Sequence, residues 1–162
     1  MARKRSGGTP ATVALDRAGI EYDLRAYDPD PRADSWGAEA AAALGVDPTR
    51  VFKTLLAELD GRLVTAVVPV SGRLDLKALA RALGGSRATM ADVAAAERAT
   101  GYVAGGISPV GQKRAHRTVL DATALDHPTI LVSAGRRGLD LEIAPADLVA
   151  VTGAIVEHVG RA

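Results

Sequence analysis

The sequence predicts an α+β fold in which helices surround a curved, mostly antiparallel, barrel-like sheet. Three observations carry that expectation. Apolar runs flank Asp60-Gly61 in "VFKTLLAELDGRLVTAVVPV", and an Asp-Gly pair between apolar runs is the strongest short hairpin signal. A second hairpin is expected in "TILVSAGRRGLDLEIA", turning at residues 135–138. Helical patterns fall between the hairpins without the strict strand–helix alternation of a parallel sheet.

The elements follow in order. Residues 1–8, "MARKRSGG", read as a flexible tail, and residues 9–162 as one domain. Thr9-Pro10 is a helix start, with Thr as N-cap and Pro at the first helical position, and Gly19 is its stop. "IEYDLRAY" reads as a strand and "DPDPRADSW" as a proline-held loop. Ser35 or Gly37 opens an alanine-rich helix that ends at Gly45. After the first hairpin, Leu76, Leu79, Ala80 and Leu83 form one helical stripe ending at Gly84. "MADVAAAERATG" is a further short helix closing at Gly101, and "RTVLD" a strand. Pro145 starts the last helix, and "AIVEHV" is the last strand.

Composition narrows the chemistry. The hydrophobic fraction is 48% but aromatics are only 3%, so small side chains build the core and little is left for an aromatic stacking platform. With a formal net charge of +1, contact with nucleic acid must come from local basic clusters. The chain has no cysteine, which excludes a disulfide framework, a thiolate metal site and a protein thiol nucleophile. The basic start lacks the apolar segment of a signal peptide, and no stretch reaches the roughly 18 apolar residues of a membrane span. A soluble, cytoplasmic protein without membrane contact is expected. His116, His127 and His158 are scattered without metal-ligand spacing, and no GxSxG elbow, GxxxxGK[ST] loop or GxGxxG after a strand occurs. No metal or cofactor is expected.

Three places attract attention. Lys53 shares a strand face with Val51, Leu55 and Ala57, while Thr54 shares the other with Phe52 and Leu56. Such a lysine either caps an exposed edge against aggregation or points into a cleft as fixed positive charge for an anionic or oxyanionic ligand. In "LDLEI", Leu139, Leu141 and Ile143 alternate with Asp140 and Glu142. The acidic face is either solvated or turns Asp140 into the cleft that holds Lys53, to meet a cationic group. In "TGYVAGGISPVGQKR", Gly105 and Gly106 precede Ile107-Ser108-Pro109. That loop is either an ordinary turn or an arrangement of several backbone N–H groups aimed at one oxygen.

Taken together, "DPRADSWGAEAAAALGV", "VFKTLL", "VPVSGRLDLKALARALG", "TGYVAGGISPVGQKR" and "SAGRRGLDLEIAPADL" resemble the YbaK/EbsC group of free-standing aminoacyl-tRNA deacylases, related to the editing domain of prolyl-tRNA synthetase. The likeness spans residues 9–157, and "KTLL" with "GGISPxGQK" is most similar to the Cys-tRNA(Pro) deacylases. The resemblance implies the editing-domain fold and hydrolysis of the ester joining a wrong amino acid to tRNA(Pro). It implies catalytic roles for Lys53 and Gly105, and substrate binding by Tyr27, Thr54, Tyr102, Gly106, Ile107, Ser108, Pro109, Ser133 and Asp140. Lys113, Arg114, Arg117, Arg136 and Arg137 become the expected tRNA contacts. The implied partners are mischarged tRNA(Pro) and, transiently, prolyl-tRNA synthetase. With no nucleophile evident in the chain, the resemblance implies attack by the thiol of the cysteinyl ester itself. Two alternatives stay open: deacylation of Ala-tRNA(Pro), and a module that binds tRNA or synthetase without catalysis.

Overall fold

The computed structural model describes residues 8–33 and 35–162. The tail expected at 1–8 therefore lies, apart from Gly8, outside the described residues. The helices are α1 (Pro10–Arg17), α2 (Trp36–Leu44), α3 (Leu76–Ala82), α4 (Val93–Thr100) and α5 (Pro145–Thr152). The strands are β1 (Asp23–Ala26), β2 (Phe52–Leu59), β3 (Arg62–Pro69), β4 (Arg73–Leu74), β5 (Ala88–Met90), β6 (Thr118–Asp121), β7 (Ile130–Arg136), β8 (Leu139–Ile143), β9 (Ile155–Glu157) and β10 (Gly160–Arg161).

Local chemistry sets the helix ends. Thr9 and Thr12 form a reciprocal capping box ahead of Pro10, and the Thr9 hydroxyl also donates to the Ala134 carbonyl, tying the start of α1 to β7. Ser35, Asp75 and Asp92 cap α2, α3 and α4 by accepting from Ala38, Ala78 and Ala95 N–H. Left-handed Gly45, Gly101 and Gly153 end α2, α4 and α5. The helix expected to begin near Met90 begins instead at Val93. Met90 belongs to β5, because Asp92 is the cap and the residues before it pair with β2.

Both expected hairpins form. β2 and β3 pair from Phe52↔Pro69 to Leu59↔Arg62 around Asp60 and Gly61, both at positive φ. β7 and β8 pair with a register irregularity between Ser133 and Arg136. Among the described residues the strands form three sheets, β1-β8-β7, β10-β4 and β5-β2-β3-β6-β9. Pairing is mostly antiparallel, except that β3–β6 and β6–β9 are parallel. The expected barrel is not present as a closed ladder: each sheet ends in edges, and a single bridge, Val51 to Leu131, joins the two larger sheets. The last segment also differs from expectation, since β10 follows β9 and pairs with β4.

Two larger apolar clusters fill the interior. One joins α1 and α5 to the β1-β8-β7 sheet through Leu15, Ile130, Leu141, Ile143 and Leu148. The other packs α3, through Leu79 and Leu83, onto β2 and β3. Alanines at these contacts let helices approach the sheets closely. The chain's end is held by a buried carboxylate. Asp121 accepts from the N–H groups of Val159 at 2.8 Å and Gly160 at 2.7 Å, and from the hydroxyl of Thr123. Burial pushes its pKa up, but the hydrogen bonds from Thr123, Gly160 and Val159 outweigh burial and hold it below the usual carboxylate range.

Asp121→Ala leaves those buried donors without an acceptor and should destabilise the fold by about 3 kcal/mol in a denaturant titration. Because the folded-state pKa is depressed, the stability from Asp121 is present above the unfolded value of 3.8 and is lost as pH falls through the lower folded value. The gap between wild type and the variant should therefore narrow below about pH 4.

Candidate active site

β2 runs beside β3 for its whole length, but among the described residues its outer edge has backbone partners only just before the strand and in its second half, from the Leu56 carbonyl, which accepts from Ala91 N–H. Val51, just before the strand, bridges to Leu131, and pairing with β5 begins at Ala57. Between them lies a cavity of about 390 Å³. Its walls are β2, α2, the start of α4, the glycine loop and the β7–β8 hairpin, and it receives Lys53, Thr54, Tyr27, Ser133, Asp140, Gly105 and Ile107. Residues from five separate stretches of the chain are thus brought together.

Lys53 points into this cavity. Its Nζ donates to the Gly72 carbonyl at 2.9 Å, which leaves ammonium protons free for a ligand. Burial first, and then the neighbouring Arg73 guanidinium, lower its pKa from the usual lysine value. Thr54 lies beside it, and its Oγ1 is buried without a hydrogen-bond partner among the described residues. An unpaired buried hydroxyl is uncommon in a folded protein and marks Thr54 for attention.

Asp140 faces the same space, only 6% exposed. Its cross-strand neighbours are Ser133 on β7 and Arg25 on β1. Arg25 does not serve it. Arg25 reaches Glu142 Oε1 at 2.6 Å, while Arg50 and the Thr129 hydroxyl each reach Glu142 Oε2 at 2.6 Å. Glu142 so engages both arginines, no cation among the described residues is paired with Asp140, and burial pushes the Asp140 pKa up to about 7. The two carboxylates of "LDLEI" share a face, as the alternation implies, but one is a structural ion pair and the other lines the cavity. The Tyr27 phenol has its pKa raised by burial and by Asp140 beside it. Ser133 Oγ accepts from Gly135 N–H at 3.1 Å, leaving its own proton free.

The glycine loop forms another wall. Ala104 N–H donates to Glu97, Gly106 N–H to the Val103 carbonyl, and Val110 N–H to Ser108 Oγ. Among the described residues the N–H groups of Gly105, Ile107 and Ser108 have no protein acceptor. Gly106 is forced to be glycine, since a Cβ there would lie 2.5 Å from Arg136 Cα and 2.7 Å from Arg137 N. That close approach fixes the loop against the β7–β8 turn.

Other expected site residues lie behind the cavity rather than on it. Tyr102 is in the core, its hydroxyl donating to the Val110 carbonyl at 2.6 Å, with its pKa raised by burial. Gly106, Ser108 and Pro109 are buried and shape the loop from within. Of the expected tRNA contacts, none lines the cavity. Lys113 and Arg114 are exposed just past the loop. Arg117 donates to the Leu83 carbonyl and borders a second cavity, near Arg62 and His116. Arg137 is tied to Glu39 and to the Asp30 carbonyl, and Arg136 precedes it on the same turn.

The sequence reading missed Trp36 and Gly72. Trp36 is 45% exposed, lines the cavity, and lies against Gly105, where a Cβ would be 3.3 Å from the ring. Its signal was present: it is the chain's only tryptophan, directly after an N-cap serine. Gly72 carried no local signal, because its role is a carbonyl offered across the fold. Among the described residues no group of three or more His, Asp or Glu side chains is placed to hold a metal ion, and no helix is long and apolar enough to cross a membrane.

One cavity thus gathers an acidic group, an ammonium, hydroxyl-bearing side chains and loop residues whose N–H groups have no acceptor among the described residues. Residues 30–151 match the aminoacyl-tRNA editing domain family, and the chain belongs to that family. It is a hydrolase of the aminoacyl-tRNA deacylase class. It is 40% identical over 156 residues, covering 94% of this chain and 93% of the relative, to Enterococcus faecalis EbsC, described as a candidate Cys-tRNA(Pro)/Cys-tRNA(Cys) deacylase. A solved structure described as a candidate trans-editing enzyme for prolyl-tRNA synthetase superposes with a TM-score of 0.85 at 24% identity, covering 99% of this chain and 100% of that one. A hypothetical protein of solved structure superposes at 0.84 with 28% identity, covering 94% and 99%.

Asp140 supplies a prediction whose sign follows from its raised pKa. Between the unfolded value of 3.8 and the folded value of about 7, the folded state holds the proton that the unfolded state releases, so this group lowers stability as pH rises through that window. Asp140→Asn should raise Tm at pH 8 and leave it near wild type at pH 3.5, measured by circular dichroism melts. In the same variant, substrate KM should rise if the carboxylate holds an ammonium.

Proposed function

We propose that residues 9–162 form one editing domain that hydrolyses the ester of Cys-tRNA(Pro), with the substrate's own thiol as nucleophile. One observation carries this reading: the cavity lining combines Lys53 and free loop N–H groups with hydroxyls, but contains no histidine beside any of them to act as base. An activated protein nucleophile is therefore missing from a site otherwise built to stabilise an oxyanion.

In the proposed reaction the aminoacyl group enters with its ammonium toward Asp140. Its carbonyl oxygen meets the free N–H groups of Gly105 and Ile107, and Lys53 neutralises charge on the ribose side. The cysteinyl sulfur, as thiolate, attacks the ester carbonyl carbon. The bond from that carbon to the ribose oxygen breaks, and the oxygen takes a proton. The product is a four-membered thiolactone, which water then opens to free cysteine. Thr54, Ser133 and Tyr27 fix the amino acid, and Trp36 offers a face to the terminal base. Lys113 and Arg114 are proposed contacts for acceptor-stem phosphates. With a net charge of +1, recognition of tRNA(Pro) falls to a transient partner, prolyl-tRNA synthetase.

Serine is nearly isosteric with cysteine, so a small pocket rejects it poorly by fit. A thiol with a pKa of about 8.5 ionises far more readily than a hydroxyl at neutral pH. Cys-tRNA(Pro) should be hydrolysed rapidly and Ser-tRNA(Pro) little in a deacylation assay. Equal rates would reject thiol attack and favour a water positioned by the loop around Gly105. Rapid hydrolysis of Ala-tRNA(Pro) would shift the substrate assignment, and no hydrolysis of any charged tRNA would favour a binding module. Lys53→Ala should lower the deacylation rate at least about 100-fold while the circular dichroism melt stays near wild type.

A further inference from the structure

β4 and β10 place two arginines where sheet pairing disfavours them. Arg73 and Arg161 are direct partners in this antiparallel pair, so their side chains leave the same face. Like charges directly opposite one another destabilise a ladder. Both residues are exposed, and among the described residues no carboxylate lies within 4.0 Å of either guanidinium. Asp75, close along the chain, caps α3 by accepting from Ala78 N–H at 3.1 Å and offsets part of the Arg161 charge from beyond ion-pair distance, which helps to hold its own pKa down, whereas Arg73 has no such carboxylate among the described residues. The strands are also held at their closest approach, since a Cβ on Gly72 would lie 2.5 Å from the Arg161 carbonyl oxygen. That same Gly72 offers its carbonyl to Lys53 Nζ at 2.9 Å, so the ammonium lies one residue from Arg73. The Arg73 guanidinium is close enough to Lys53 to help lower its pKa, and Arg161 stands opposite Arg73, so β4 and β10 carry positive charge beside the Lys53 side of the cavity although neither arginine lines it.

We infer that Arg73 and Arg161 form, beside Lys53, the seat of a phosphodiester at the 3′ end of an RNA substrate. The inference rests on the editing reading for the identity of the ligand, and on the strand geometry for its place. A repulsive pair held in register by backbone contact is relieved when an anion sits between its members, and guanidinium groups match phosphate oxygens in paired hydrogen bonds. The arrangement also orients the substrate. The phosphate stays at the exposed lip, the ribose reaches Lys53, and the aminoacyl group extends to Asp140 in the buried end. Arg137, tied to Glu39, and Arg117, turned to the Leu83 carbonyl, are less available for this task.

The test is binding of an uncharged RNA stem-loop ending in a single-stranded CCA, across a salt series, to wild type, Arg73→Gln/Arg161→Gln and Lys113→Gln/Arg114→Gln. The first double variant should bind at least about tenfold more weakly and flatten the slope of log affinity against log salt by roughly one to two. For the charged substrate, its KM should rise about as much with kcat retained. The ratio of kcat/KM for phosphate-free cysteinyl-adenosine to that for Cys-tRNA should rise about tenfold. Arg73→Gln alone should melt at or above the wild-type temperature, because the repulsion is relieved. Unchanged affinity and slope, or a loss confined to the Lys113/Arg114 variant, would overturn the seat. So would a lowered Tm, which would make the arginines structural. If RNA binding depends on Arg73 and Arg161 but no charged tRNA is hydrolysed, the editing reading fails and the seat stands. Hydrolysis of charged tRNA with RNA binding indifferent to the two arginines gives the reverse.

Discussion

The site depends on the incomplete pairing of one strand. β2 is bound to β3 along its length, yet among the described residues its other edge is hydrogen-bonded only around Val51 and from Leu56 onward, where Ala91 N–H reaches the Leu56 carbonyl. A fully paired strand would have its backbone groups satisfied by neighbours and no room between them. Here, among the described residues, the two larger sheets are joined by a single bridge. The space between them is the cavity, and Lys53 and Thr54 stand in it because they occupy the unpaired stretch. The glycine loop, the N-terminal end of α2 and the β7–β8 hairpin close the gap from other directions.

Charge in the site follows from how neighbouring groups are divided. Glu142 engages Arg25 and Arg50, while Asp140 is buried and paired with no cation among the described residues. Lys53 is steadied by a carbonyl rather than a carboxylate, so its charge is not cancelled. The site therefore keeps an uncompensated ammonium near its lip and an uncompensated carboxyl in its interior. Groups left uncompensated in this way are a common feature of functional sites.

Much of the fold was legible because it is set by local chemistry. Thr9-Pro10, Ser35, Gly45 and Asp60-Gly61 act within a few residues of themselves, and each falls where the sequence places it. β4, β5 and β10 were not legible. They are two or three residues long, and such segments become strands only because a partner from elsewhere lies alongside. The same division holds in the site. Thr54 and Asp140 could be proposed from the strand alternation and from the family resemblance. Tyr102 and Ser108 could be proposed on the resemblance alone, and the structure places them behind the wall, where Tyr102 is held by the Val110 carbonyl.

The sequence by itself determined most of the longer elements, the Thr9 cap, both hairpins, the absence of a thiol and the family to which the motifs are similar. Those properties rest on nearest neighbours, periodicity and residue chemistry, all of which survive in a linear string. Only the tertiary structure decided that the sheets stay open, that Glu142 rather than Asp140 takes the two arginines, and that Lys53 leans on Gly72 beside Arg73 and Arg161. Each of these joins segments far apart in the chain, and their separations and orientations are set by packing between sheets rather than by the residues that meet there.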